Sequence, residues 1–216
     1  MDWLTDNWLN ILRGFGETLK LLGLSGAIAL VLGTFVALAR VSPVPILRGV
    51  AIAYVTIFRN TPLLVLILIT YYGLPEVGID FGFFVNISLA MGFYTASFVT
   101  EAIRSGFNGV PLGQAEAARA IGMPFTQSMS QVVLPQAFRL VVPPLASVFI
   151  ALTKNTSLAA TFGVAEATYR MRGLFNEYAS QMIFIFLGIA LGYILIVAVI
   201  SWVATAFERR FAVNAR

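Results

Sequence analysis

Long apolar runs separated by short polar stretches dominate the chain. A helix that crosses the hydrocarbon core of a bilayer needs about 20 mostly apolar residues. Five segments reach roughly that length, the second with the polar interruption Arg59–Pro62. They are Leu19–Ala39, Val50–Tyr72, Asn86–Ile103, Leu140–Phe162 and Met182–Ala206, with approximate ends. The pattern therefore predicts an all-α membrane protein with five transmembrane helices, forming one domain over residues 1–216.

The composition supports this class and excludes several chemistries. Of the 216 residues, 59% are apolar and 11% are charged, whereas soluble domains are about half apolar and a quarter charged. The sequence contains no cysteine and no histidine. Disulfides, thiol chemistry and His-based acid–base or zinc chemistry are therefore excluded. We expect no metal site and no catalytic residue.

The loop charges predict the orientation in the membrane, because loops rich in Lys and Arg stay in the cytoplasm. One set of loops carries Arg40, Arg48, Arg104, Arg119, Arg139, Arg209, Arg210 and Arg216, with Glu116 and Glu208. The other set carries Arg13, Lys20, Arg170 and Arg172, with Asp2, Asp6, Glu17, Glu76, Asp80, Glu166 and Glu177. Eight basic residues against four place the N-terminus outside and the C-terminus inside.

Near the N-terminus, Trp3 and Trp8 suit either an interfacial anchor or ordinary packing.

Residues 111–135 form a polar, helix-forming stretch between apolar segments. Pro111 suits the first turn of a helix, and Gln114–Ile121 are good helix formers. Gly122 can end the helix in a left-handed turn, and Pro124 prevents the helix from continuing beyond it. The spacing places small or apolar residues on one face of this helix, with Glu116 and Arg119 beside them. The residues of that face are Ala115, Ala118 and Ile121. Such a helix could lie on the membrane surface or enter a groove of a partner protein.

The same stretch resembles the EAA loop of the membrane subunits of ABC importers. The likeness rests on Glu116-Ala117-Ala118, then Gly122 after three residues, then Val132-Val133-Leu134-Pro135 after nine. Val132 replaces the more usual Ile, a conservative change. The resemblance implies a cytoplasmic coupling loop over about residues 104–139, whose helix docks in a cleft of the ATP-hydrolysing subunit. The implied coupling residues are Gln114, Glu116, Ala117, Ala118, Arg119 and Gly122.

Lys154 falls in the outward half of the fourth predicted span, followed by Asn155 and Thr156. A lysine at the bilayer centre costs about 2.5–3.5 kcal/mol even on lenient scales, so an interaction must offset this cost. Lys154 could pair with another helix, extend towards the interface, or bind the α-carboxylate of an amino acid. The segment ALTKNTSL resembles that of polar amino acid permeases, which implies that Lys154, Asn155 and Thr156 line a substrate cavity.

The residue after the lysine bears on the substrate. In the relatives that carry basic amino acids this position is often aspartate, whereas here it is Asn155. Without that negative charge the cavity suits an anion better than a cation. The resemblance therefore favours glutamate, aspartate or glutamine, with basic or neutral polar amino acids as the alternative.

Two further polar groups interrupt predicted spans. Arg59 precedes Pro62, which should kink the second span because proline removes a helical hydrogen bond. Counting 11 residues from Arg48, about 16 Å along a helix, places Arg59 near the middle of the bilayer. Arg59 could support the shape of the substrate pathway or add positive potential to that pathway.

Glu101 and Arg104, three residues apart, could form a salt bridge, or Glu101 could contact substrate.

The chain lacks the parts of an ATPase. A phosphate-binding P-loop needs a lysine followed by Ser or Thr, but Lys20 precedes Leu21 and Lys154 precedes Asn155. The chain is thus expected to be non-catalytic, with ATP and Mg²⁺ bound by a separate subunit. It contains no detectable repeat of the kind that marks many secondary transporters.

Taken together, the chain is similar to permease subunits of the polar amino acid uptake family of ABC importers, and most similar to those of actinobacterial glutamate importers. The segments RVSPVPILR, RNTPL, GQAEAAR and ALTKNTSLAATFGVAEA carry this likeness. The resemblance implies a multi-pass protein of the bacterial cell membrane, with ATP-binding subunits, a second permease chain that often differs, and an extracytoplasmic amino-acid-binding protein. A passive channel is a less favoured alternative.

Overall fold

A computed structural model describes the backbone of residues 2–211 and the side chains of residues 3–210. The described residues are almost entirely helical and contain no strand. Arg216 and the side chain of Asp2, both counted in the orientation prediction, lie outside this part. The α-helices are α1 (Asp2–Arg40), α2 (Pro45–Asn60), α3 (Leu63–Leu68), α4 (Leu74–Glu76), α5 (Phe83–Asn108), α6 (Leu112–Ala120), α7 (Phe125–Ser128), α8 (Leu134–Asn155), α9 (Ala167–Glu177) and α10 (Met182–Phe211).

Shorter helical turns join several of these helices into longer elements. Residues Ile69–Gly73 and Met129–Val133 are π-helical, and Thr156–Phe162 and Ala179–Gln181 are 3₁₀-helical. Four continuous helical stretches are long and apolar enough to cross a membrane. They are Trp3–Arg40, Phe83–Asn108, Phe125–Phe162 and Ala179–Arg210. The pair Pro45–Asn60 and Leu63–Glu76 gives a fifth, broken span. The predicted all-α membrane fold is confirmed, whereas the side that each terminus faces stays a prediction.

The break in the second span is larger than a kink. The axis of α2 and the axis of the stretch Leu63–Glu76 differ by 101° in direction. Thr61 N–H still donates to Ile57 C=O at 3.0 Å, but Pro62 has no N–H with which to continue the ladder. Beyond the break, Leu63 and Ile67 of α3 are buried in a cluster with residues of α5 and α8.

The first helix begins well before the predicted Leu19. Its N-terminal part is held by packing rather than by an unbroken apolar run, since Trp3 and Ile11 join a buried cluster with residues of α9 and α10. A Cβ on Gly188 would lie 2.6 Å from the Trp3 indole ring, so that glycine makes room for the ring. Trp3 is therefore a packing residue, only 4% exposed, whereas Trp8 is 52% exposed.

Helix α5 lies at the centre of the bundle, and glycines bring its neighbours close. A Cβ on Gly33 of α1 would lie 2.7 Å from the Val99 side chain of α5. A Cβ on Gly92 of α5 would lie 2.6 Å from the Ile28 side chain of α1. At the crossing with α8, a Cβ on Gly106 would lie 2.1 Å from the Val141 side chain. Small residues of this kind let membrane helices pack through van der Waals contact where the hydrophobic effect is absent.

The polar stretch forms the predicted helix with the predicted stop. Gly122 has φ +86°, the left-handed conformation that ends many helices. Met123 N–H donates to Ala118 C=O at 3.1 Å, and Gly122 N–H donates to Arg119 C=O at 3.0 Å. These two bonds make a Schellman motif, which satisfies carbonyl groups at the end of α6.

The α5–α8 crossing supplies a test of the packing. Gly106→Ala should destabilise the fold by about 1–3 kcal/mol, because the added methyl group overpacks the contact with Val141. The matched control is Gly49→Ala in α2, where an added Cβ would meet no atom within 4 Å. Chemical unfolding in detergent micelles measures both variants. Equal unfolding midpoints for the two would contradict the close-packed crossing.

Candidate functional site

Helix α6 stands out as a short polar helix with one face turned towards the rest of the chain. Ala118 is 4% exposed, and Ala115 is half-buried. The Gln136 side-chain amide donates to the Gln114 side-chain oxygen at 3.4 Å. Glu116, Ala117, Arg119 and Gly122 are exposed. Of the predicted coupling residues, Ala118 thus lies against its own chain, and the other five remain accessible to a partner.

Large apolar residues are exposed at both ends of α6. Leu112, its first residue, is 82% exposed, and Ile121, its C-cap, is 79% exposed. Phe125, the first residue of α7, is 74% exposed. The docking face of Ala115, Ala118 and Ile121 stays a prediction.

Glu101 of α5 gathers three arginines from three helices. Arg104 of the same helix donates to Glu101 Oε2 through Nη2 at 2.8 Å and through Nε at 3.1 Å. Arg40, the last residue of α1, donates to Glu101 Oε1. Arg59 of α2 lies farther away, with Nη1 at 3.9 Å from Oε2. The predicted Glu101–Arg104 salt bridge is confirmed, and the two additional arginines come from helices distant in sequence.

This cluster borders a polar cavity of about 420 Å³ between α1, α2 and α5. Thr56 and Asn60 also line it. Arg40 and Arg59 line the cavity with a single carboxylate, that of Glu101, among the lining residues, so the lining has an excess of positive charge. Because partly buried charges interact strongly, an anion entering this cavity would be attracted.

Arg59 lines the same cavity as Arg40, the last residue of α1. Its depth in the membrane stays a prediction. Arg59 Cζ lies 5.2 Å from the centroid of the Phe98 ring, within the range of a cation–π interaction.

A second cavity of about 390 Å³ adjoins the first, between α5 and α8. Phe98 lines both cavities, and Asn155 and Thr95 line the second. The Thr95 hydroxyl is buried and has no hydrogen-bond partner among the described residues. Such a group is costly unless something binds to it. Thr95 is not recognisable as a site residue from the sequence, because a threonine within a span usually bonds to its own helix.

The residues predicted around Asn155 have different surroundings. Lys154 is exposed and forms no salt bridge in the described part of the chain. The Thr156 hydroxyl is buried and donates to Thr153 C=O at 2.7 Å, so it already has a partner. Asn155, Phe98, Arg59 and Glu101 thus line two adjoining cavities, which we call the polar route. Lys154 and Thr156 precede and follow Asn155 in sequence but are not among the lining residues of these cavities.

A buried carboxyl group ties the opposite end of the bundle together. Glu166 is fully buried and caps α9 by accepting from Tyr169 N–H at 2.8 Å. The Tyr193 hydroxyl of α10 donates to its other oxygen at 2.5 Å, and the Thr18 hydroxyl of α1 lies 3.4 Å from that same oxygen. Burial raises the pKa of Glu166 above its ordinary value, although these hydrogen bonds act in the opposite direction. Sequence analysis counted Glu166 only as a loop charge.

The comparisons with known proteins give the same result throughout. The family model described as "Binding-protein-dependent transport system inner membrane component" matches residues 29–213. The chain is 39% identical over 199 residues to the glutamate transport system permease protein GluC of Corynebacterium efficiens, covering 87% of each chain. It is 33% identical over 207 residues to the probable glutamine ABC transporter permease protein GlnM of Bacillus subtilis, covering 96% of this chain and 95% of the relative.

A solved structure agrees with these relatives. The chain superposes with a TM-score of 0.88 on a chain from a crystal structure of an amino acid ABC transporter with histidines. The two chains are 31% identical, and the match covers 97% of this chain and 99% of the other. The likeness therefore extends over the fold as well as the sequence.

The buried carboxyl group predicts how stability depends on pH. The fold favours the neutral form of Glu166, so its stabilising contribution is complete below the ordinary glutamate pKa of 4.5. That contribution is lost as the pH rises through the raised pKa of the folded state. Glu166→Gln should remove this part of the dependence.

Thermal unfolding followed by circular dichroism between about pH 4 and pH 8 measures the effect. Glu76→Gln, at an exposed glutamate, is the matched control and should keep the wild-type profile. A Glu166→Gln profile parallel to that of the wild type would contradict a buried group that titrates.

Proposed function

The chain belongs to the family of inner membrane components of binding-protein-dependent transport systems, and on this premise we propose that it imports polar amino acids as the permease subunit of an ATP-driven ABC transporter. Glutamate is the proposed principal substrate, with aspartate or glutamine as close alternatives. The observation that carries the proposal is the joint presence of an exposed, capped helix α6 and of two adjoining cavities that share Phe98.

The first step is coupling to a motor. We assign ATP hydrolysis to separate subunits, because neither lysine of this chain occurs in a P-loop sequence. The exposed side of α6 offers Glu116, Ala117 and Arg119, with Leu112 and Ile121 as apolar contacts near its ends. A helix ended by a Schellman motif keeps a defined length, which suits the transfer of a rigid-body movement. On the predicted orientation this helix faces the cytoplasm, where a soluble ATPase could bind it.

The second step is recognition of the substrate. The ammonium group of Lys154 has no salt-bridge partner among the described residues. Asn155, the next residue, lines the second cavity together with Thr95, and both side chains offer uncharged hydrogen-bonding groups. We propose that Lys154 binds a carboxylate of the amino acid. The positive excess around Glu101 would then favour passage of an anion along the first cavity. The GluC relative, named as a glutamate permease, supports this substrate class.

The third step is movement. We propose alternating access, in which the route is open to one side of the membrane at a time. Phe98 stands where the two cavities meet, so its ring is a natural barrier between them. ATP binding can drive the change only if the partner subunits bind the two conformations with different affinity. Docking of α6 supplies that difference.

The complete transporter needs further chains. We propose two ATP-binding subunits, a second permease chain that differs from this one, and an extracytoplasmic binding protein that delivers the amino acid. The coupling loop over about residues 104–139 belongs to the same single domain as the spans. A glutamine permease is the second candidate, because Thr95 and Asn155 are uncharged and the GlnM relative is named for glutamine.

Ala117→Asp tests the coupling role. A carboxylate buried without a partner at the docking surface should lower substrate-stimulated ATP hydrolysis at least about tenfold. Ala117→Ser keeps a small side chain without a charge and should remain near the wild-type rate. ATPase assays of the reconstituted transporter measure both variants. Unchanged stimulation in the Ala117→Asp transporter would contradict docking at α6.

Lys154→Ala tests the substrate role. Losing a hydrogen bond to a charged group should lower the apparent affinity for glutamate about 10- to 100-fold. Lys20→Ala is the matched control, since Lys20 is the other lysine of the chain and pairs at the surface with Glu17 at 2.7 Å. ATP-driven uptake of labelled glutamate into proteoliposomes supplies the measurement.

The same assay separates the candidate substrates and functions. Unlabelled aspartate or glutamine should compete with labelled glutamate, and arginine should compete poorly. Strong competition by arginine would favour a basic amino acid permease. Uptake that continues without ATP would favour a passive channel. Normal glutamate kinetics in the Lys154→Ala transporter would assign Lys154 a structural role.

A further inference from the structure

A mostly apolar groove lies apart from the polar route. It has a volume of about 590 Å³ and opens between α1, α5 and α8. Leu30 of α1, Ile103 of α5 and Leu145 of α8 form part of its wall. Arg139 is the one charged residue among those that line it. A groove with this lining suits a hydrocarbon chain better than an amino acid.

Arg139 is the unusual member of this wall. Its side chain is half-buried, and its Nε is buried with no hydrogen-bond partner among the described residues. Arg40, Arg59 and Arg104 all share Glu101, whereas no described carboxylate forms a salt bridge with Arg139. A guanidinium group carries a permanent charge, and a buried donor such as this Nε–H is costly to leave without a partner. The group therefore calls for an anion that the described chain does not supply.

The position of the charge within the groove narrows the choice of anion. Arg139 lies in the second turn of α8, and Phe107 lies in the last turn of α5. Phe107 is near the end of α5, on the side of the bundle where Arg40 and Arg104 also lie, and Arg139 lines the groove with it. From Arg139 the wall continues along α8 to Leu145, a rise of about 9 Å. The charge is near the end of α5, and the apolar wall extends from it along α8 towards Leu145.

We propose that this groove binds an anionic phospholipid. The phosphate of the lipid pairs with Arg139, and one acyl chain of the lipid lies along Leu30, Ile103 and Leu145. Basic pockets between membrane helices recognise lipid headgroups in this way. A free phosphate would use the charge but not the apolar wall, and a helix of a second chain would use the wall but leave the guanidinium unpaired unless it brought an acidic residue.

The bound lipid has a consequence for the fold. Val141, the residue that meets Gly106 at the α5–α8 crossing, also lines the groove. A lipid chain in the groove therefore supports the crossing from its open side. Anionic lipid should raise the unfolding temperature of the transporter more than a zwitterionic lipid with the same acyl chains.

Native mass spectrometry of the transporter purified with its subunits tests the proposal. The probes are phosphatidylglycerol and phosphatidylcholine with identical acyl chains, supplied in equal amounts. The wild-type transporter should retain phosphatidylglycerol in preference, and Arg139→Gln should reduce that preference about fivefold. Arg48→Gln, at an exposed arginine, should leave it unchanged. Equal retention of both lipids by the wild type, or an unchanged preference in Arg139→Gln, would overturn the proposal.

A second measurement identifies the occupant without relying on the Arg139 variant. The chain has no cysteine, so Leu145→Cys provides a unique attachment point for a fluorophore. Phosphatidylglycerol with brominated acyl chains should quench this probe more than brominated phosphatidylcholine does. Cross-linking of the cysteine to another polypeptide, with no quenching by either lipid, would show that a protein fills the groove.

Discussion

Close packing around α5 is the constraint on which the rest of the structure depends. Helix α1 approaches it where Gly33 meets Val99 and where Gly92 meets Ile28, and α8 approaches it where Gly106 meets Val141. Inside a bilayer the lipid is as apolar as the side chains, so contact and shape must hold helices together. The approach is possible because these positions have no side chain. It also brings the end of α1, with Arg40, to the level of Glu101.

The same helix carries the polar route on a different stripe. Thr95, Phe98 and Glu101 follow one another at three-residue spacing, which places them along one side of α5. Thr95 borders the cavity with α8, Glu101 borders the cavity with α2, and Phe98 borders both. One rigid element thus fixes the spacing of a hydrogen-bonding group, an aromatic barrier and a charge. A site built on a packed helix is held more firmly than one built on a loop.

The parts that sequence predicted well are those governed by local rules. Hydropathy predicted the spans, with the second one broken in the structure. Gly122 and Pro124 predicted the end of α6, and spacing predicted the Glu101–Arg104 pair. Pro62 predicted a kink in the second span but not a bend of 101°. The Arg40–Glu101 contact and the group of Glu166, Tyr193 and Thr18 join residues far apart in sequence, so no local rule reveals them. The direction of Ala118 depends on which neighbour covers α6. The early start of α1 depends on Trp3 finding space at Gly188, which hydropathy cannot register.

The two ends of the bundle are held by contacts of different strength, and this bears on where it can open. At one end Glu166 is fully buried and connects α1, α9 and α10, so separating these helices would break several hydrogen bonds in a dry environment. At the other end α2 contacts Glu101 through one long bridge of 3.9 Å, from an arginine side chain that is 43% exposed. At 3.9 Å, and with one partner largely solvated, this bridge is weaker than the hydrogen bonds of Arg40 and Arg104 to the same carboxylate. The Tyr54 hydroxyl of α2 also donates to Phe93 C=O at 2.6 Å, which can serve as a pivot. Movement should therefore concentrate in α2, which borders the cavity lined by Arg59 and Glu101. Helices α1, α9 and α10 should move together as a unit.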